Sequence, residues 1–414
     1  MLFGTAAVFV PRLFLGRTMK ANPLVREQEP IRSTMLPYGK QTIDEDDRRA
    51  VENVLRGNWL TTGPAVSSFE AVLCQTTGAR QAVAMSSGTA ALHAATTAID
   101  IQPDDEVIVP AISFVASANC ILYRHGRPVF ADICKDTMNI DPADVARKIT
   151  KRTKAIVAVD FAGHPCDHDE LRGIAAAHNL RVISDAAHSL GATYRGRSVG
   201  TLQGVTTLSF HPVKIITTGE GGALLTDNDG LAKRARSFRH HGIDIDLHAR
   251  AQRDTFEYDV TSLGFNYRIT DICCALGCSQ IGKLESWIAR RRAIAAMYRK
   301  GLAHNTILEL PTERSDCRSA WHLYVVRLNL DMLRASRREI FAAMRAENIG
   351  VNVHYIPIPW LTLYRDLGYQ RGHWPVAEAE YERTLSIPIY PGMKDEDAVD
   401  VIAALEKVLR RFRR

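Results

Sequence analysis

From residue 36 onward, short apolar runs alternate with longer stretches in which apolar residues recur every three or four positions. The runs 81–85, 106–110, 128–131, 155–160, 181–185, 205–210 and 222–226 predict short strands. Between them the periodic stretches predict helices. Thr42 and Glu45 read as a capping box for a helix ending near Gly57, and Ser67 with Glu70 repeats the device ahead of Gly78. Asp141 followed by Pro142 reads as an N-cap with proline at the first helical position. Strands alternating with helices of this length predict an α/β fold built on a mostly parallel, doubly wound sheet. In such sheets ligands gather beyond the carboxyl ends of the strands, which says where chemistry should be sought.

After about Leu284 the texture changes. A basic helix carrying Arg290, Arg291 and Arg292 leads into the strand-like WHLYVVRL, then the Pro-rich HYIPIPW, then a final helix over 395–411. The expected organisation is a large domain over 36–284 and a smaller C-terminal α/β domain over 285–414. Residues 1–35 form a leader whose first fifteen, MLFGTAAVFVPRLFL, are apolar but broken by Pro11 and Arg12. They lack a basic n-region and a cleavage site, which argues against a signal peptide. Met19 and Met35 are alternative starts, so the leader is expected to be poorly ordered or not part of the natural chain.

Composition narrows this picture only a little. With 414 residues and 46% hydrophobic content the chain can bury a large core in more than one unit. No run approaches the roughly twenty apolar residues of a membrane span. The net charge of +6 suits an anionic small molecule, and no basic stripe interleaved with aromatics suggests nucleic acid. Eight cysteines form no CxxC pair and no zinc spacing, so reduced core thiols in a cytoplasmic protein are expected, including Cys273, Cys274 and Cys278 on a helical stretch.

Three segments carry chemistry. The first, SSGTAALHAA, follows the strand QAVAM, and Ser87, Gly88 and Thr89 leave a helix N-terminus able to face a phosphate. Such helix starts are common without a ligand. In the second, Asp185 ends the strand RVISD, where a carboxylate can keep a pyridine nitrogen protonated; by itself it reads equally as a helix N-cap. The third is TTLSFHPVKIITTGEGGALLTD. Here Lys214 is bracketed by Phe210, Val213, Ile215 and Ile216, a setting that disfavours its cation and supplies the neutral amine a Schiff base needs. A lysine reaching out to water from a strand edge is the competing reading. Ser209, just upstream, can add a hydroxyl to the phosphate.

The order of phosphate cup, carboxylate and lysine, each at a strand end, resembles the aspartate-aminotransferase-like (fold type I) pyridoxal-phosphate (PLP) enzymes. Within them it is similar to the DegT/DnrJ/EryC1/StrS sugar aminotransferases, from about Leu36 to the C-terminus. WLTTGP, PAISFVASANC, GFNYRITD, HYIPIP and IPIYPGM add to the likeness. The resemblance implies Lys214 and Asp185 as catalytic residues. It implies PLP held by Ser87, Gly88, Thr89, Phe114 (stacked on the ring), Asp185, His188, Ser209 and Lys214, with Asn266 reaching the cofactor phosphate of a neighbouring subunit. A homodimer with active sites at the interface follows from that last role. Substrate is expected near Tyr38, Thr61, Thr62, Gly63, His322, Tyr324 and His354. Departures exist: His188 stands where many members carry Gln, and Ser86 replaces a frequent Asn. Some relatives have His in place of the lysine and dehydrate sugars; Lys214 argues against that here.

FHPVKIITTGEGG, FAGHPCD and Tyr38 look most like a subgroup that aminates C4 of a UDP-linked 4-keto-6-deoxy-N-acetylhexosamine on the way to pseudaminic acid, with glutamate as donor. A dTDP- or GDP-linked keto-sugar is the alternative. A nicotinamide oxidoreductase would need a GxGxxG turn, which is absent. A non-catalytic relative would be expected to lack Lys214 or Asp185, and both are present.

Overall fold

The computed structural model describes residues 29–245 and 254–414. Most of the expected leader, 1–28, lies outside these. Residues 29–35 are fastened to the fold: Arg32 pairs with Asp397 at 2.8 Å and Asp400 at 2.6 Å, and the Ile31 amide donates to Glu347.

The chain opens with helices α1 (Glu45–Leu55) and α2 (Pro64–Thr77), followed by β1 (Gln81–Met85) and α3 (Gly88–Ala98). It continues through β2 (Glu106–Pro110), α4 (Ala116–Leu122), β3 (Arg127–Ala131), α5 (Pro142–Arg147), β4 (Thr153–Val159), α6 (His168–Ala177) and β5 (Arg181–Asp185). A small hairpin, β6 (Thr193–Tyr194) and β7 (Arg197–Ser198), precedes β8 (Val205–Ser209), β9 (Gly222–Thr226) and α7 (Asp229–Arg239). The seven-stranded sheet has the order β1-β9-β8-β5-β4-β2-β3, and β9 alone runs against the others. This is the mostly parallel sheet that the alternation predicts. Strand pleating sends Val83 and Met85 into one core and Ala82 and Ala84 into another, beneath Phe69 and Leu73 of α2. Helices thus cover both faces, and the carboxyl ends of β2, β4, β5 and β8 open on one edge.

Two expected caps are corrected. The capping box of α1 is Asp44 with Asp47, not Thr42 with Glu45. Helix α2 begins at Pro64, so Ser67 lies inside it; its first amides, Gly63 and Ala65, donate instead to the buried Asp271 at 2.8 and 2.9 Å. Glu70 accepts from the Ala84 amide and pairs with Arg239. A carboxylate two hundred residues away caps this helix, which a local pattern cannot reveal. Asp141 and Gly78 act as expected.

Asp271 opens α8 (Asp271–Ile281), which carries Cys273, Cys274 and Cys278, and α9 (Leu284–Leu302) follows. Beyond it come β10 (Leu308–Glu309), β11 (Cys317–Arg318), β12 (Tyr324–Leu328), α10 (Arg337–Ala346), α11 (Thr362–Asp366), α12 (Pro375–Arg383), β13 (Thr384–Ile387) and α13 (Asp395–Phe412). An antiparallel sheet, β10-β12-β13, packs with α9, α10 and α13 around Tyr298, Val326, Leu385 and Leu405. Ile358 of HYIPIPW, with Tyr364 and Trp374 beyond it, packs in the same apolar cluster as Phe130 of the large sheet. Among the described residues no helix is long and apolar enough to cross a membrane.

Candidate active site

Three strand ends build the site. Asp185, the last residue of β5, is 5% exposed; Oδ2 accepts from Ser117 Oγ at 2.7 Å and Oδ1 from the Ala187 amide at 3.2 Å. Ser113 Oγ lies 2.7 Å from Ser117 Oγ and completes the chain. Burial raises the carboxyl's pKa, against the opposing pull of Ser117, Ala187 and Lys214. A cation placed against it would relieve that cost.

Lys214 sits in the turn after β8, partly buried, with its amide bonded to the His211 carbonyl. Burial brings its pKa from 10.5 to about 8, with Asp185 pulling the other way. That burial favours the desolvated amine over a lysine reaching out to water.

At the third strand end, Ser87 caps α3 through its hydroxyl, which accepts from the Ala90 amide at 3.0 Å. A Cβ on Gly88 would stand 2.8 Å from Ser209 Cβ, and one on Gly222 would stand 2.4 Å from the Ser87 carbonyl oxygen. Glycine is therefore required where α3 starts, and it brings Ser87, Gly88 and Ser209 together as the phosphate-cup reading requires. Thr89 lies in the first turn of the same helix. The Ser86 amide donates to the Tyr267 carbonyl, which ties the GFNYRITD segment to this cup; Asn266 beside it is exposed.

Around Lys214 stand three histidines. His188 Nε2 is 3.3 Å from the Tyr355 hydroxyl, and the His188 and His322 rings lie 4.3 Å apart. His354 Nδ1 is 2.8 Å from Ser386 Oγ, and its ring lies 5.5 Å from that of Tyr38. Burial first, then the Lys214 charge, lowers the pKa of His188 and brings that of His354 to about 3; burial and His188 lower that of His322. Each is thereby disfavoured as a cation. The Nδ1 atoms of His188 and His322 are buried without a protein partner. Phe114, more than half exposed after β2, places its ring 6.2 Å from Tyr355.

Other expected residues fall elsewhere. Tyr324 is fully buried between Tyr298 and Trp321 in the smaller core, so the structure does not bring it to this group. The alternation of β12 turns it inward, while the turn before the strand carries His322 to the site. Thr61 bridges to Thr270; Thr62 and Gly63 line a separate cavity of about 850 Å³ with Arg234, Arg239 and Arg268, and Lys214 is not in its wall. Ser113, Ser117 and Tyr355 were not singled out from the sequence, although the first two lie in PAISFVASANC and the third in HYIPIP.

The residues fit PLP. A carboxylate whose burial calls for a cation, a lysine of reduced basicity and a cup that a Cβ would fill lie at or just after strand ends of one sheet, and two imidazole nitrogens near that lysine lack partners. The fold and site define a PLP-dependent aminotransferase of fold type I. More narrowly, residues 41–406 match the DegT/DnrJ/EryC1/StrS aminotransferase family, and the chain belongs to it.

It is 38% identical over 382 residues to the spore coat polysaccharide biosynthesis protein SpsC of Bacillus subtilis, covering 92% of this chain and 98% of that one. Helicobacter pylori PseC, an aminotransferase involved in the biosynthesis of pseudoaminic acid, superposes with a TM-score of 0.86 at 31% identity, over 92% of this chain and all of that one. Streptococcus pneumoniae Spr1654, solved in PMP and PLP forms, gives 0.85 in the PMP form at 31% identity, over 91% and 99% of the two chains. The protein is a sugar aminotransferase that uses PLP.

Proposed function

We propose that the chain transfers the amino group of glutamate to C4 of a UDP-linked 4-keto-6-deoxy-N-acetylhexosamine, in the cytoplasm and as a homodimer. Likeness to PseC supports the substrate, and a dTDP- or GDP-linked keto-sugar is the alternative. The observation that carries amino transfer is the partly buried Lys214 amine, of lowered basicity, opposite the buried Asp185 carboxylate.

PLP, when bound, supplies an electron sink that stabilises negative charge on the donor's α-carbon. The chain's own residues do the rest. Lys214 would be the attachment point and, as a free amine, the general base that takes the proton of the donor carbon onto Nζ. Asp185, held by Ser117 and the Ala187 amide, keeps the ring nitrogen protonated. Ser87, Gly88, Thr89 and Ser209 fix the phosphate, joined by Asn266 from the second copy, so that reactive groups stay aligned. His188 would face the ring hydroxyl and Phe114 would cover the ring face. His322, His354 and Tyr38 border the sugar, and the large domain over 36–284 holds the cofactor beside the smaller domain over 285–414.

The test is incubation of purified protein with glutamate and a panel of UDP-, dTDP- and GDP-linked keto-sugars, with products read by mass spectrometry and NMR. A 4-amino product from the UDP-linked hexosamine is expected, and selective turnover of another nucleotide sugar would replace that substrate. Lys214→Ala should abolish turnover and the visible absorbance of bound cofactor. Borohydride reduction that leaves no pyridoxyl label on Lys214 in the native protein would overturn the site itself.

A further inference from the structure

The run Arg290, Arg291 and Arg292 on α9 gives its three side chains three different settings. Arg290 donates to Asp395 and to the Met393 carbonyl, and Arg292 pairs with Glu313. Arg291 is 1% exposed, and among the described residues no carboxylate pairs with it. Its Nη1 donates to the carbonyls of Trp321 (3.2 Å), His322 (3.2 Å) and Ile389 (2.9 Å), while Nε has no partner. A buried cation without a counter-charge is costly, and an apolar side chain would serve packing better. The three acceptors show what the charge does instead. Trp321 is in the left-handed region at φ 49°, a conformation that a residue with a Cβ adopts reluctantly. On its other side the same segment is held by Gly163, whose carbonyl accepts from the Ala320 amide and where a Cβ would stand 2.9 Å from the His322 nitrogen. Ile389 in turn donates its amide to the Tyr38 carbonyl.

We propose that Arg291 is a positioning residue, clamping the backbone at Trp321 and His322 so that the His322 ring is held against His188, and tying in the segment that carries Tyr38. The inference rests on the site reading above. Burial foremost, with the charges of Lys214 and Arg291 adding to it, disfavours a cation on His322.

A double-mutant cycle tests this. Arg291→Met should retain the fold by circular dichroism and still hold cofactor, while kcat falls about tenfold or more with little change in KM for glutamate. His322→Ala should fall similarly, and the double variant no further than the worse single. Arg291→Lys, which keeps the charge and loses the fork, should fall between wild type and Arg291→Met, and it takes the place of the methionine variant if that does not fold. In cofactor-free protein, imidazole NMR should show His322 titrating below an ordinary histidine in wild type, with its midpoint higher in Arg291→Met. Losses in kcat that multiply between the two sites, or a His322 resonance indifferent to Arg291, would overturn the proposal. Failure of the site reading is distinguishable, because wild-type protein would then take no pyridoxyl label.

Discussion

The amine of Lys214 makes the sharpest quantitative prediction. With a pKa of about 8 rather than 10.5, its neutral fraction at about pH 7.5 is about 0.24 rather than about 0.001, an advantage of about 240-fold. The cause is burial, and Asp185 opposes it by favouring the cation. In cofactor-free protein, trace labelling with acetic anhydride followed by peptide mass spectrometry reads this amine directly. Lys214 reactivity should rise about tenfold per pH unit and level off above about 8, whereas surface lysines rise until about 10.4. Asp185→Asn removes the opposing carboxylate, so the midpoint should move below that of wild type. A midpoint near that of an ordinary lysine, or a shift upward in Asp185→Asn, would refute the electrostatic account even if the enzyme transaminates.

Two further outcomes follow from the packing. Gly88→Ala pushes a methyl to 2.8 Å from Ser209 Cβ and 3.3 Å from its Cα, atoms fixed by β8, so the cup should open. Equilibrium dialysis should show at least tenfold weaker PLP retention, at a cost in stability of about 1–3 kcal/mol, and normal retention would argue against the cup. Asp271→Ala strips the Gly63 and Ala65 amides of their buried acceptor. Urea unfolding should show a loss of about 2–4 kcal/mol, whereas Ser67→Ala, at the position expected to cap α2, should change it by less than about 0.5 kcal/mol.

The sequence alone determined the alternation of strand and helix, and with it the mostly parallel sheet, because local periodicity and short-range apolar runs are enough to specify those elements. It also placed Asp185, Lys214 and the Ser87–Gly88 pair, since each lies at a strand end where doubly wound sheets bind ligands. Tertiary structure decided the rest. The acceptor for the first amides of α2 is a carboxylate more than two hundred residues distant, and helix boundaries shifted accordingly. Ser113 and Ser117 acquire a role only because α4 packs beside the end of β5. Tyr324 and His322 are two residues apart, yet strand pleating buries one in the smaller core while the turn before it delivers the other to His188. Arg291 reads as one charge among three on a helix until its carbonyl partners are seen. Desolvation and long-range hydrogen bonds depend on which surfaces meet, and no local pattern in the chain encodes that meeting.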